Sequence, residues 1–125
     1  MSKATTISRI FFGIFLLVFG LNGFLNFNPL PSMTEQAGEF MGALSKAGYI
    51  MPIVGILEVI VGLLLIFNKF VPLSLIVIFS IMLNAFLFHL VLDIGGIGGS
   101  LIAISLNIFL FIAYKENYKN IFKVN

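Results

Sequence analysis

The sequence predicts an all-α integral membrane protein, a four-helix bundle with a short amphipathic interfacial helix between its first and second spans. Three observations predict it. The 125 residues are 60% hydrophobic and 10% charged, with a mean hydropathy of +1.15, against about 45–50% and 25% in soluble domains. Charges are absent over stretches as long as a bilayer crossing. Turn-forming residues fall between those stretches. A soluble domain of this size buries about 60–70% of the surface its unfolded chain exposes, too little to hide so much apolar area. An ordinary soluble enzyme, a disordered chain and a nucleic-acid-binding domain are thereby excluded. The net charge of +2 is a small excess on a charge-poor chain, not a basic surface for phosphates. With no cysteine, dithiol chemistry, thiolate zinc sites and cysteine-ligated clusters are excluded too. The length suits a single domain over residues 1–125.

The first span follows from the uncharged run between Arg9 and Glu35 and is placed at about Ile7–Asn26. Asn28-Pro29-Leu30-Pro31 breaks it. Ser32-x-x-Glu35 then has capping-box spacing, and Ala37, Phe40, Met41 and Leu44 recur at helical steps before Gly48. Residues 33–47 therefore read as an amphipathic helix in the membrane interface, either a lid packed on the bundle or a gate over a cavity. The second span, Ile50–Phe67, carries Pro52 in its first turn and Glu58 near its middle. Asn68-Lys69-Phe70 allows only a tight reversal into the third span, Val71–Leu92, which has Pro72 in its first turn. Gly95-Gly96-Ile97-Gly98-Gly99 lacks the Lys-Ser/Thr of a phosphate loop and reads as a flexible reversal into the fourth span, Gly99–Tyr114. Each run matches the roughly 17–25 helical residues a bilayer core requires.

Four crossings put both termini on one side. That side carries Lys3, Arg9, Lys69, Lys115, Lys119 and Lys123, and the other carries Lys46 as its single base. The excess places both termini in the cytoplasm. The basic start followed by an apolar run reads as an uncleaved first helix, because Asn22-Gly23-Phe24-Leu25-Asn26 follows it where a small-x-small cleavage site would stand. Arg9 itself reads as a snorkelling boundary residue, or as a partner for Glu58 or an anionic ligand.

The costly residues are polar ones at depth. An acidic side chain at mid-membrane costs roughly 2.5–3.5 kcal/mol on insertion scales. Glu58 must offset that by protonation or by an inward-facing hydrogen-bonded partner. Gly55 and Gly62 share its helical face and admit a close neighbour, so Glu58 is expected inside the bundle. Counted along the helices, Asn22, Asn84 and Asn107 come within a few ångströms of its depth. Asn22 with Asn26, Ser80 with Asn84, and Ser100 with Ala103, Asn107 and Tyr114 form one polar stripe per helix. The economical arrangement turns all the stripes to one axis. His89, nearer the outer end of span three, reads as an interfacial histidine held by a loop carbonyl, as a ligand or proton-relay residue, or as a metal ligand. The last lacks a second strong ligand at metal spacing. The candidate ligand or proton site is thus Glu58, Asn22, Asn84, His89 and Asn107, with no catalytic set and no metal site. The cluster reads equally as polar glue between helices.

Arg9-x-x-x-Gly13, Pro52, Leu57-Glu58-x-x-x-Gly62-Leu63-Leu64-Leu65, Asn84-x-x-x-Phe88-His89-Leu90, and Tyr114 with a basic-aromatic tail form a further pattern. It resembles the DoxX-like family of small four-helix bacterial membrane proteins, over nearly the whole chain. The glycine-rich 95–99 connection departs from the Pro-containing loop of such relatives. The resemblance implies a multi-pass protein of the bacterial inner membrane, associated with membrane redox systems, with a quinone as the implied cofactor or ligand. Three functions follow as expectations. One is a quinone- or lipid-binding accessory subunit that partners a membrane oxidoreductase and is no enzyme on its own. Another is a small proton-coupled transporter that works as a homo-oligomer. The third is a structural assembly protein.

Overall fold

The computed structural model describes residues 2–25 and 33–124. Among them there are five α-helices and no strand: α1 (Lys3–Leu25), α2 (Glu35–Ala47), α3 (Ile50–Ile66), α4 (Val71–Val91) and α5 (Ile97–Ala113). Helices α1 and α4, and α5 together with the 3₁₀ turn that leads into it (Ile94–Ala113), are long and apolar enough to cross a membrane. Helix α3 has 17 residues, about 25 Å at the helical rise, and α2 meets it at 90°. The chain is therefore a multi-pass membrane bundle with three to four spans. The predicted break at Asn28–Pro31 and the expected cap at Ser32 lie outside the described residues. Thr34 caps α2, its hydroxyl accepting from the Ala37 amide at 3.2 Å, and Gly48 closes the helix with a φ of 85°.

The four long helices form an antiparallel ring in the order α1, α3, α4, α5. Its tightest seam joins α1 to α3. Glycines seven apart on each helix, Gly13 and Gly20 against Gly62 and Gly55, meet in opposite directions. A Cβ on Gly62 would stand 2.7 Å from the Gly13 carbonyl oxygen, and one on Gly20 3.0 Å from that of Gly55. With no side chains between them, the two backbones touch, which in lipid supplies the dispersion that water would otherwise drive.

The α3–α4 reversal shows why three residues suffice. Asn68 takes a φ of 58°. The Lys69 amide then bonds back to the Leu64 carbonyl at 2.9 Å and the Asn68 amide to that of Leu65 at 3.4 Å, closing the helix end. Arg9 completes it. Its guanidinium is buried and donates from Nη1 to the carbonyls of Leu65 and Ile66. The expected snorkelling, and the pairing with Glu58 or a ligand, are thus replaced by capping. A cation satisfies the last carbonyls of α3, that of Leu65 at a buried position and that of Ile66 at a half-buried one. On this end of the bundle the core is solid: Phe12, Leu16, Leu65, Leu75, Ile78 and Leu110 are fully buried. Phe79 packs edge-on to Phe111, and Phe111 to Tyr118.

Candidate ligand-binding site

At the opposite end, toward α2, the packing opens. The α1–α3 glycine seam fixes α3 so that Glu58, three residues after Gly55, looks into the bundle. There it lines a chamber of about 460 Å³ built from all five helices. Its walls are Phe15, Phe19, Met33, Met41, Met82 and Phe88, and its polar groups are Asn22, Glu58, His89, Asp93 and Ser100. A largely apolar hollow of this size with a few convergent polar groups has the composition of a small-molecule site. Three thioethers let the wall adapt to a guest's shape. A second hollow of about 410 Å³ lies beside the first, under Ser45, Gly48, Met51 and Pro52, and shares Phe19, Asn22 and Glu58 with it. The carboxyl therefore borders both.

His89 is held in place by its own turn. Its Nδ1–H faces the Asp93 carbonyl at 3.2 Å, and Asp93 Oδ2 is 3.5 Å from the same nitrogen. With Nδ1 engaged at Asp93, Nε2 is the ring nitrogen left for a guest. Gly96 makes room for this ring: a Cβ there would sit 2.7 Å from His89 Cε1 and 3.2 Å from Asp93 Oδ2. The 95–99 glycines are expected to form a flexible reversal with a helix start, glycine tolerating a positive φ; α5 does start among them, at Ile97, but the positive φ is not used. Among the described residues only Gly48 is a positive-φ glycine. The connection is a single 3₁₀ turn, Ile94–Gly96, leading into α5. What requires glycine at position 96 is the imidazole against it.

Helix α2 closes the chamber as a lid. Thr34 Oγ1 donates to the Leu92 carbonyl at 2.5 Å, Phe40 packs on Phe88 with ring centroids 5.5 Å apart, and Ala37 is fully buried. Met41 projects from the same helix onto the hollow.

Of the five residues expected to converge, three do: Asn22, Glu58 and His89. Asn107 is buried, but it lies below the chamber. Its Nδ2 donates to the Leu75 carbonyl at 3.4 Å, so it ties α5 to α4 within the packed half. Asn84 corrects the single-axis expectation outright. It is exposed on the outer surface of α4, as is Ser80, whose hydroxyl bonds back to Val77. The buried face of α4 is Val71, Ser74, Leu75, Ile78 and Met82, and Asn84 is rotated away from it. Depth arithmetic places a residue along a helix but not around it. Asp93, Gly96 and the methionines were missed. Asp93 has a signal in the sequence, four residues after His89 at the end of the same helix, whereas the thioethers have none. No group of three or more His, Asp or Glu side chains at metal-binding spacing occurs among the described residues.

Comparison with known proteins decides the family. The model of the DoxX family matches residues 4–90. The chain belongs to the DoxX family. In this DoxX protein the match takes in α1 to α4 and with them Glu58, His89 and the lid. Helix α5 and the basic-aromatic tail, which the resemblance also drew in, lie outside the matched segment. No curated protein and no solved structure matches the chain.

Proposed function

We propose that this DoxX protein holds a lipidic molecule of the quinone class in the chamber beside Glu58 and His89, as an accessory subunit of a redox system in the bacterial inner membrane, with both termini in the cytoplasm. The observation that carries the reading is that Glu58, Asn22 and His89, with Asp93 and Ser100, line one largely apolar hollow. A quinone head presents two carbonyl acceptors and, once reduced, two hydroxyl donors. A carboxyl and an imidazole nitrogen lining one cavity suit both states, and the Met and Phe walls suit the ring and its isoprenoid tail. Binding is favoured over transport by the packing. From Glu58 toward Arg9 the bundle is filled by Phe12, Leu16, Val61, Leu65, Leu75 and Ile78, so the hollow reaches one end of the bundle and not the other.

Purified protein in detergent, titrated with ubiquinone or menaquinone, tests the reading. Binding is expected to weaken about tenfold in Glu58→Gln and in His89→Ala. Tenfold is ~1.4 kcal/mol, in the range of one lost hydrogen bond in a desolvated site. Asn84→Ala, outside the chamber, should bind as the parent does. Equal affinity in all the variants removes Glu58 and His89 from the proposal. For the orientation, a periplasm-dependent reporter fused to residue 124 should stay silent, and a signal there reverses it.

A further inference from the structure

Helix α4 carries a feature the chamber does not use. Asn84 is exposed, fourteen residues into a 21-residue apolar helix, so roughly 10 Å of helix separates it from the nearer end. No hydrogen bond is formed by its side chain within the described residues. Ser80, one turn away, closes on its own Val77 carbonyl at 3.1 Å, a local bond that Asn84 does not make. Of the three asparagines within the spans, Asn22 borders the chamber and Asn107 is buried. Asn84 alone projects a donor and an acceptor outward, where lipid answers neither.

The surroundings of Asn84 are ordered. Leu73, Ile76, Leu83, Leu87, Leu90 and Val91 are all exposed. Together with Ser80 and Asn84 they occupy about 120° of arc at ~100° per residue. The spacing 73, 76, 80, 83, 87, 90 alternates three and four, the seam of a left-handed helix pair, with Asn84 at its flank.

We propose that this face of α4 is the contact between two copies of the chain, related by a two-fold axis along the membrane normal, with the Asn84 carboxamides bonded across it. A second copy fits because a carboxamide is its own complement, donating from Nδ2 and accepting at Oδ1. The basic residues bias every copy to insert in one direction, so two α4 helices run parallel and bring Asn84 against Asn84 at equal depth without further adjustment. An unrelated partner would need a polar group at that depth on its own account. Interhelical bonds of this kind contribute modestly, and the apolar seam supplies the rest of the contact. The inference is independent of what the chamber binds.

The absence of cysteine makes cross-linking the direct test. Single cysteines at Ile76, Leu83 and Leu87 should form disulfide-linked dimers in oxidised membranes, while cysteines at the exposed Phe11 of α1 and Ile108 of α5 should not. In vesicles, energy transfer between labelled copies should show association weakened about three- to thirtyfold in Asn84→Leu, largely restored in Asn84→Gln, with an unchanged melting profile of the monomer. Cross-links distributed evenly over α1, α4 and α5, or a chain monomeric at every density, overturn the proposal. So does cross-linking of the α4 cysteines in native membranes to a different protein while the purified chain stays monomeric.

Discussion

Gly96 and Arg9 show how single residues hold this protein's two ends. At Gly96 the imidazole of His89 occupies the space a methyl group would take, with Cε1 2.7 Å and Nδ1 2.8 Å from the virtual Cβ. Gly96→Ala must therefore shift the ring. The expected outcome is loss of the Nδ1 contact to Asp93, read by imidazole NMR shifts, and ligand affinity reduced as in His89→Ala. Gly95→Ala, with nothing within 4 Å of its virtual Cβ, should leave both as they are. At the other end, Arg9→Leu removes the donor to the Leu65 and Ile66 carbonyls. Hydrogen bonds from a charged donor contribute about 1.5–3 kcal/mol, so a loss of ~2 kcal/mol in reversible unfolding is expected. Arg9→Lys should recover part of it, because an ammonium reaches one carbonyl more readily than two.

At the scale of elements, the seam between α1 and α3 and the lid α2 use glycine in opposite ways. Gly62 touches the backbone of α1, with Leu17 N at 2.8 Å from its virtual Cβ as well as the Gly13 oxygen. Gly62→Ala should push the helices apart and cost about 1–3 kcal/mol, the range for overpacking a filled site. Gly42 lies exposed on α2 with open space around it. Gly42→Ala should stabilise the lid by up to ~1 kcal/mol through helix propensity alone. Thermal unfolding of the two variants in one detergent, moving in opposite directions, checks the pair. A Gly62→Ala midpoint that holds or rises would falsify the assignment of the seam, and a Gly42→Ala midpoint that falls overturns the open position on the lid. The lid itself was legible as a helix from its apolar spacing. Its attachment was not, because the Thr34–Leu92 bond joins residues 58 apart.

Across the whole molecule, the ring of helices is closed below the chamber by the segment after α5. Tyr118 is buried and donates its hydroxyl to the Pro72 carbonyl at 2.8 Å, tying the tail to the start of α4. Burial, and secondarily the neighbouring Tyr114, push its phenol from 10.0 up to about 12. Between those values the folded chain keeps a proton that the unfolded chain has released. The stabilisation is therefore complete below about pH 10 and is lost as pH rises to about 12. Ultraviolet titration of the parent should show one tyrosine ionising late. Tyr118→Phe should remove that step and lower stability at neutral pH by about 0.5–1.5 kcal/mol.

The sequence by itself determined the all-helical membrane bundle, its helix limits to within a few residues and the inward direction of Glu58. These follow from apolar run length, from the cost of charge in hydrocarbon and from small residues on a shared face, all readable along one dimension. The tertiary structure decided which polar residues meet. It put Asn22 and His89 with Glu58, sent Asn107 into the packed half and turned Asn84 outward. It also made Arg9 a cap and Gly96 a seat for an imidazole. Those outcomes depend on how each helix is rotated about its axis, which is set by the close packing of its neighbours and leaves no periodic trace in a chain apolar on nearly every side.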